Sequence, residues 1–248
     1  MCGRYSLTTP SEAMRRLFGF VNPLPNLPPR YNIAPTQAVP IVRLVSGKHA
    51  AHHGEIQERE LVQVRWGLIP FWAKDASIGA KMINARAEGI AGKPAFRQAF
   101  KSRRCLVPAD GFYEWRVGPK GKRPYRIELK GARGESSPLF AFAGLWERWE
   151  KNPDGLPVES CTIVTTEANA LLQSIHERMP VILGSADHAA WLDPDTPGQT
   201  AEGLLKPYAA EAMLLYPIST RINSVRFDDA ACIIPEEAEE RPGQPRLI

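Results

Sequence analysis

The second residue of the chain is a cysteine, in the run Met1-Cys2-Gly3-Arg4-Tyr5. Removal of Met1 leaves Cys2 with a free α-amine and a thiol on adjacent carbons. The reference pKa is about 7.7–8.0 for the amine and about 8.5 for the thiol, so a useful fraction of each is nucleophilic near neutral pH. An internal cysteine cannot offer that pair. Glu114 lies in GFYEW, between Tyr113 and Trp115. Desolvation there would raise its carboxyl toward the range suited to general acid–base work. Strand alternation puts Glu114 on the face of Phe112, which favours partial burial. His176 lies in SIHERMP, at the end of an expected helix, where an imidazole can carry a proton. A lone histidine is more often a satisfied structural residue, so His176 is not decisive by itself.

Asn84 and Arg86, in INARAE, stand two residues apart. An extended backbone would present that amide and guanidinium on one face. Arg86 then suits a phosphate, and Arg4, two residues from Cys2, could reach one nearby. Trp66, Phe71, Trp72, Tyr113 and Trp115 include possible stacking platforms for unpaired bases, with two of the five expected at the surface and the rest in the core. Cys105 and Cys161 sit in apolar, strand-like runs and read as buried thiols. No C-x-x-C pair occurs, so no zinc cluster is expected. His49, His52 and His53 lie in a polar loop with no ordered carboxylates nearby and do not read as a metal site.

The elements that must position these residues are short. Over 248 residues there are 19 Gly and 23 Pro, which argues against long helices and for short strands joined by turns. Strands are expected at 39–45, 61–66, 105–108, 112–116, 125–129, 139–145, 161–166, 181–183 and 213–217. Helices are expected at 11–18, 94–102, 167–175, 185–192 and 200–208, with Ser11 and Ser185 as N-caps. Residues 22–40 are proline-rich and read as extended backbone wrapping a core. Residues 46–60 read as an exposed hairpin or loop. This pattern predicts one α+β domain over residues 1–234, with a mainly antiparallel, barrel-like sheet and peripheral short helices. Residues 235–248 read as a disordered tail. Charged residues are 23% and the formal net charge is +4, which permits a polyanion partner without requiring one. No secretory signal and no run long enough to span a membrane is seen. The expected compartment is the cytoplasm of a bacterium or the nucleus of a eukaryote, with the cysteines reduced.

Six segments together resemble the SOS-response-associated peptidase (SRAP) family: MCGRY at 1–5, RYNIAPTQ at 30–37, RWGLIPFWAKD at 65–75, INARAE at 83–88, RRCLVPADGFYEW at 103–115 and IHERMPVIL at 175–183. A weaker match lies near Thr220–Asn223. The resemblance implies a protein that couples Cys2 to the ring-opened aldehyde of an abasic site in single-stranded DNA, through a Schiff base that closes to a thiazolidine. It implies that Glu114 handles protons at the amine, that His176 assists ring opening and crosslink reversal, and that Asn84 orients the linkage. Arg4 and Arg86 match phosphate-binding arginines, and Trp72 and Trp115 belong to the aromatic elements beside the DNA. No cofactor or metal is implied. The partner is single-stranded DNA with abasic sites, bound by a monomer; replication-fork partners are unspecified. The family name implies autoproteolytic removal of what precedes Cys2, here Met1 alone, which a general aminopeptidase could equally remove. The stretch between Trp72 and Asn84, with ASIGAKM, bears on which aromatics stack. Two rivals come from other classes. N-terminal-nucleophile glutamine amidotransferases also begin Met-Cys-Gly but typically carry an Asn-Gly pair, which this chain lacks. A non-catalytic single-strand-binding module would need the arginines and aromatics but not Cys2, Glu114 or His176.

Overall fold

The computed structural model describes residues 2–45, 58–119, 121–131 and 138–236. Its thirteen strands are β1 (Tyr5–Leu7), β2 (Arg30–Ile33), β3 (Ala38–Leu44), β4 (Arg59–Trp66), β5 (Asn84–Arg86), β6 (Arg104–Ala109), β7 (Gly111–Gly118), β8 (Gly121–Leu129), β9 (Phe140–Trp149), β10 (Val158–Glu167), β11 (Arg178–Pro180), β12 (Ile182–Leu183) and β13 (Met213–Pro217). The helices are α1 (Ser11–Phe18), α2 (Arg97–Ser102), α3 (His188–Leu192) and α4 (Gly198–Gly203).

Five strands close on themselves. β10 pairs with β4, β4 with β3, β3 with β6, β6 with β9, and β9 returns to β10. Closure removes the exposed edges that an open sheet would leave. The β4–β10 and β5–β10 pairings are parallel and the others antiparallel, so the mainly antiparallel barrel expected from the pattern is what forms. A second, five-stranded sheet runs β13-β8-β7-β1-β2. Tyr5 and Phe112 from this sheet meet Phe142 of the barrel edge-to-face, at ring-centroid distances of 5.8 and 5.9 Å. One apolar cluster spans both layers, so the chain folds as a single domain. Among the described residues no helix is long and apolar enough to cross a membrane.

Two details of the barrel set up the site. β4 and β5 lie in turn along one side of β10, with Cys161 opposite Trp66 and Ile163 opposite Asn84. On the other side β9 gives way to β11, where Thr166 faces Met179. The turn leaving β4 is held tightly. Gly67 has φ of +125°, and a Cβ there would stand 2.6 Å from the Gly79 carbonyl oxygen. Only glycine accepts both the backbone angle and the approach, and this packs residues 76–81 against the turn just ahead of Asn84.

Each expected strand run falls on an observed strand. β1, β2, β5 and β11 were not among the expected strands, since each has only three or four residues and is specified by its partners rather than by periodicity. Two helices fail. Residues 167–175 are not helical: Glu167 extends β10 against Arg178, and only Leu172–Ser174 form a 3₁₀ turn, with Asn169 Oδ1 accepting from the Leu172 amide at 3.1 Å. The helix expected at 200–208 stops at Gly203. Pro10 and Gly184 take the cap positions assigned to Ser11 and Ser185, and the Ser11 hydroxyl donates instead to the Pro25 carbonyl, at 3.0 Å. Pro235 bridges to Ile218 and Glu236 pairs with Arg123; the rest of the expected tail, and His49, His52 and His53, lie outside the described residues.

Candidate active site

Cys2 begins the segment that enters β1. Tyr5 faces Phe112 and Ser6 faces Gly111, and the Tyr113 amide donates to the Arg4 carbonyl at 3.0 Å. That register draws the first residues alongside Glu114. Two buried polar groups lock it. Asp110 accepts from the Ser6 hydroxyl at 2.6 Å, and from the backbone amides and hydroxyls of Thr8 and Thr9 at 2.5 to 3.2 Å. Arg126, behind it, donates to the Ser6 hydroxyl (2.8 Å), the Tyr113 hydroxyl (3.1 Å) and Glu128 (2.9 Å). Buried charges persist where such partners exist. Sequence reading missed Asp110 and Arg126; a short Asp-Gly step between apolar strands was the available signal.

Asn84 reaches Cys2 from the barrel. Its Nδ2 donates to the Cys2 carbonyl at 2.9 Å. Its Oδ1 is buried with no hydrogen-bond partner among the described residues, so an acceptor waits beside Cys2. The Cys2 thiol is itself fully buried, 3.8 Å from the Arg4 carbonyl. Burial pushes the thiol up, and the nearby Glu114 charge adds to this. Glu114 is 4% exposed. Burial raises its carboxyl above the ordinary range, opposed by the positive charge of the amino terminus.

Beyond this buried layer a cavity of about 430 Å³ is lined by Arg4, Glu114, Trp115, Lys122, His176 and Asn223. His176 arrives on the turn into β11. The Arg178 amide donates to its Nδ1 at 2.9 Å, so in the neutral ring the proton sits on Nε2. Partial burial holds the imidazole below its usual value, with the amino-terminal charge acting the same way. The turn is tied back by Arg178, which forms a two-pronged pair with Glu88 at 2.5 and 2.9 Å and donates to the Thr165 carbonyl at 2.6 Å. Arg4 donates to Asn32 Oδ1 at 2.6 Å and to the Ile222 carbonyl at 2.8 Å. Asn223, on the segment at 220–223, adds to the cavity wall; Asn32 Nδ2 donates to the Ile222 carbonyl at 3.3 Å and Trp115 Nε1 to Asn223 Oδ1 at 2.7 Å.

The residues singled out in the sequence therefore divide. Arg4, Glu114, Trp115 and His176 share the cavity, and Cys2, whose thiol feels the Glu114 charge, is hydrogen-bonded by Asn84 outside its lining. Arg86 is exposed at the end of β5 and Trp72 is 41% exposed at the tip of the turn after β4; neither lines the cavity. Of the five aromatics, Phe71 and Trp72 are exposed, Trp66 and Tyr113 are buried, and Trp115 lies between. Cys105, Cys161 and Cys232 are buried free thiols. Lys122 and Asn223 were not anticipated, because a hairpin lysine and a late asparagine carry no local signature.

Residues 1–225 match the model of the family described as SOS response associated peptidase (SRAP), and the chain belongs to that family. A Bacillus subtilis relative, named abasic site processing protein YoqW, is 45% identical over 228 residues, covering 90% of this chain and 95% of the relative. The Gallus gallus protein named abasic site processing protein HMCES is 35% identical over 233 residues, covering 84% of this chain and 67% of the relative. A crystal structure of a Bacteroides thetaiotaomicron protein superposes with a TM-score of 0.80 at 27% identity, covering 95% of this chain and all of the other.

Proposed function

We propose that this protein processes abasic sites in DNA by coupling Cys2, once Met1 is removed, to the aldehyde of the opened sugar in single-stranded DNA. The Cys2 α-amine attacks the aldehyde carbon and water leaves, giving a Schiff base. The thiol sulfur then adds to the imine carbon, its proton passes to the nitrogen, and a five-membered thiazolidine closes. The observations that support this reading are that Glu114 and His176 line one cavity, that Cys2 lies within electrostatic reach of Glu114, and that Asn84 donates a hydrogen bond to the Cys2 carbonyl.

The surroundings suit each step. Glu114, with its carboxyl raised by burial, holds a proton at higher pH than an ordinary carboxylate. It can deliver that proton to the departing water and recover it from the thiol. Asn84 Oδ1 would accept from the amine and hold it against the aldehyde carbon. The Nε2 proton of His176 faces the role of polarising the sugar oxygen during ring opening and reversal. The thiol, kept protonated by burial, resists adventitious oxidation until the imine is there to receive it. Autoproteolytic loss of Met1 and lyase-type release belong to the same proposal, with Glu114 and His176 as the proton carriers. The DNA phosphates would meet Arg4 at the cavity and Arg86 outside it, with Trp72 and Trp115 flanking the displaced bases.

The test uses protein with Met1 removed, verified by mass, and a single strand bearing one abasic site. A denaturing gel is expected to show a covalent adduct that Cys2→Ala abolishes. An adduct that persists in Cys2→Ala overturns the thiazolidine mechanism, and glutaminase activity without any adduct would favour an amidotransferase instead.

A further inference from the structure

A charged feature outside the cavity is unused by the chemistry at Cys2. Lys93, Arg97 and Lys101 recur at every fourth residue. The turn leading into α2 begins at Lys93, whose carbonyl accepts from the Phe96 and Arg97 amides at 2.9 and 2.8 Å. Arg97 and Lys101, four apart within α2, therefore stand on one face about 6 Å apart, with Lys93 preceding them in extended backbone. Lys93 Nζ reaches back to the Arg86 and Glu88 carbonyls at 3.3 and 2.8 Å. The row thus joins Arg86, which is itself two residues beyond Asn84. Arg86, Arg97 and Lys101 are exposed. None of the four cations forms an ion pair among the described residues.

The far end of the row opens into a cleft of about 620 Å³, with Arg97 and Lys101 on one side and residues 194–198 on the other. Arg104 forms part of its wall, but its guanidinium is committed to the carbonyls of Phe100, Trp191 and Asp193. Asp195 is the carboxylate in the lining. At the near end Trp72 Nε1 contacts the Pro94 carbonyl at 3.4 Å, which sets the exposed Phe71 and Trp72 beside the start of the row.

We propose that this row is a phosphate track: the DNA strand that leaves the Cys2 cavity passes Arg86 and lies along Lys93, Arg97 and Lys101 into the cleft. This rests on the reading of the chain as an abasic-site DNA protein. Four cations without an ion pair among the described residues, the last three at four-residue intervals, match a ligand whose negative charges also repeat. The aromatic tip at the start of the row gives the first base beyond the site a surface to stack on. The track makes binding asymmetric, with more of the footprint on one side of the abasic site than on the other.

The test measures reversible binding, free of covalent chemistry, with Cys2→Ala protein and a single strand carrying a tetrahydrofuran abasic analogue. Each phosphate contact on a single strand contributes about 0.7 to the slope of log Kobs against log salt. Adding Arg97→Gln and Lys101→Gln should therefore flatten the slope by about 1.4. Shortening the strand on one side of the analogue should weaken binding of the parent but not of this variant. The charge-conserving pair Arg97→Lys and Lys101→Arg should keep the parent's slope, which separates lost charge from lost fold. An unchanged slope, or equal sensitivity to shortening in parent and variant, overturns the track. Adduct formation by protein with Cys2 intact is scored separately at low salt and saturating DNA. An adduct with an unchanged slope removes the track alone; a flattened slope without an adduct removes the Cys2 chemistry and leaves the track standing.

Discussion

The barrel and the appended sheet bury their residues in different ways. The barrel strands β3, β4, β6, β9 and β10 bury residues such as Ile41, Trp66, Leu106, Phe142 and Ile163 completely, each contributing on the order of 1.5–3 kcal/mol by removal from water. Of its buried cations, Arg43 is answered by Glu60 and Glu159, at 2.8 and 3.0 Å, and Arg104 by the carbonyls of Phe100, Trp191 and Asp193. The sheet instead buries Ser6, Asn32, Asp110, Glu114 and Arg126 within a small area. Most of that set is mutually satisfied, and Glu114 is the member whose carboxyl is displaced upward by the same dry surroundings. The barrel supplies rigidity, and the sheet supplies a preorganised polar layer pressed against it. Cys2 and Glu114 come from the sheet, Asn84 and His176 from the margins of β10, so the site exists only where the two meet.

The largest effect is expected where the two layers share one side chain. The Phe142 ring contacts Tyr5 and Phe112 of the sheet as well as Phe140. Phe142→Ala should cost about 3–5 kcal/mol in urea unfolding, still in one transition. Two separated transitions would show that barrel and sheet are independent units and would break the comparison. A smaller loss is expected in the polar layer. Asp110→Asn keeps the shape but turns an amide toward donors it now accepts from, costing about 1–3 kcal/mol. Adduct formation should fall further than stability does, because Cys2 stands just ahead of β1. A variant that loses stability and keeps the wild-type rate would show that the layer does not set the position of Cys2.

The smallest effect has the opposite sign. A carboxyl whose folded-state pKa lies above its unfolded value binds more protons when folded, so it lowers stability as pH rises through that window. Glu114→Gln removes this penalty. The variant should melt higher than wild type at pH 8 and show little difference at pH 4, while losing adduct formation. Its residual rate should also lose the decline at alkaline pH that deprotonation of Glu114 imposes. Equal melting shifts at both pH values would mean that burial does not disfavour the Glu114 charge.

Much of the architecture was legible because strand runs announce themselves locally. Val39–Val45, Phe112–Arg116 and Met213–Pro217 combine β-branched or aromatic residues with flanking breakers, and all fall on strands. The helix expected from Glu167 failed because pairing with β11 outweighs local helix propensity over so few residues. Glu114 and His176 could be named from residue type and neighbours. Lys122 and Asn223 could not, since nothing within several residues of either marks a site.

The sequence by itself determined the proposed reagent and the class of fold. A cysteine after Met1 has a chemistry set by covalent structure alone, and short breaker-bounded runs can hardly form anything but a strand-rich domain. Only the tertiary structure decided that Asn84 reaches the Cys2 carbonyl, that Glu114 is buried so that its carboxyl is raised, and that Arg4 shares the cavity while Arg86 stands outside beside Lys93. The reason is physical: desolvation, hydrogen-bond geometry and charge spacing depend on distances between segments far apart in the chain, and those distances exist only once the sheet has packed on the barrel.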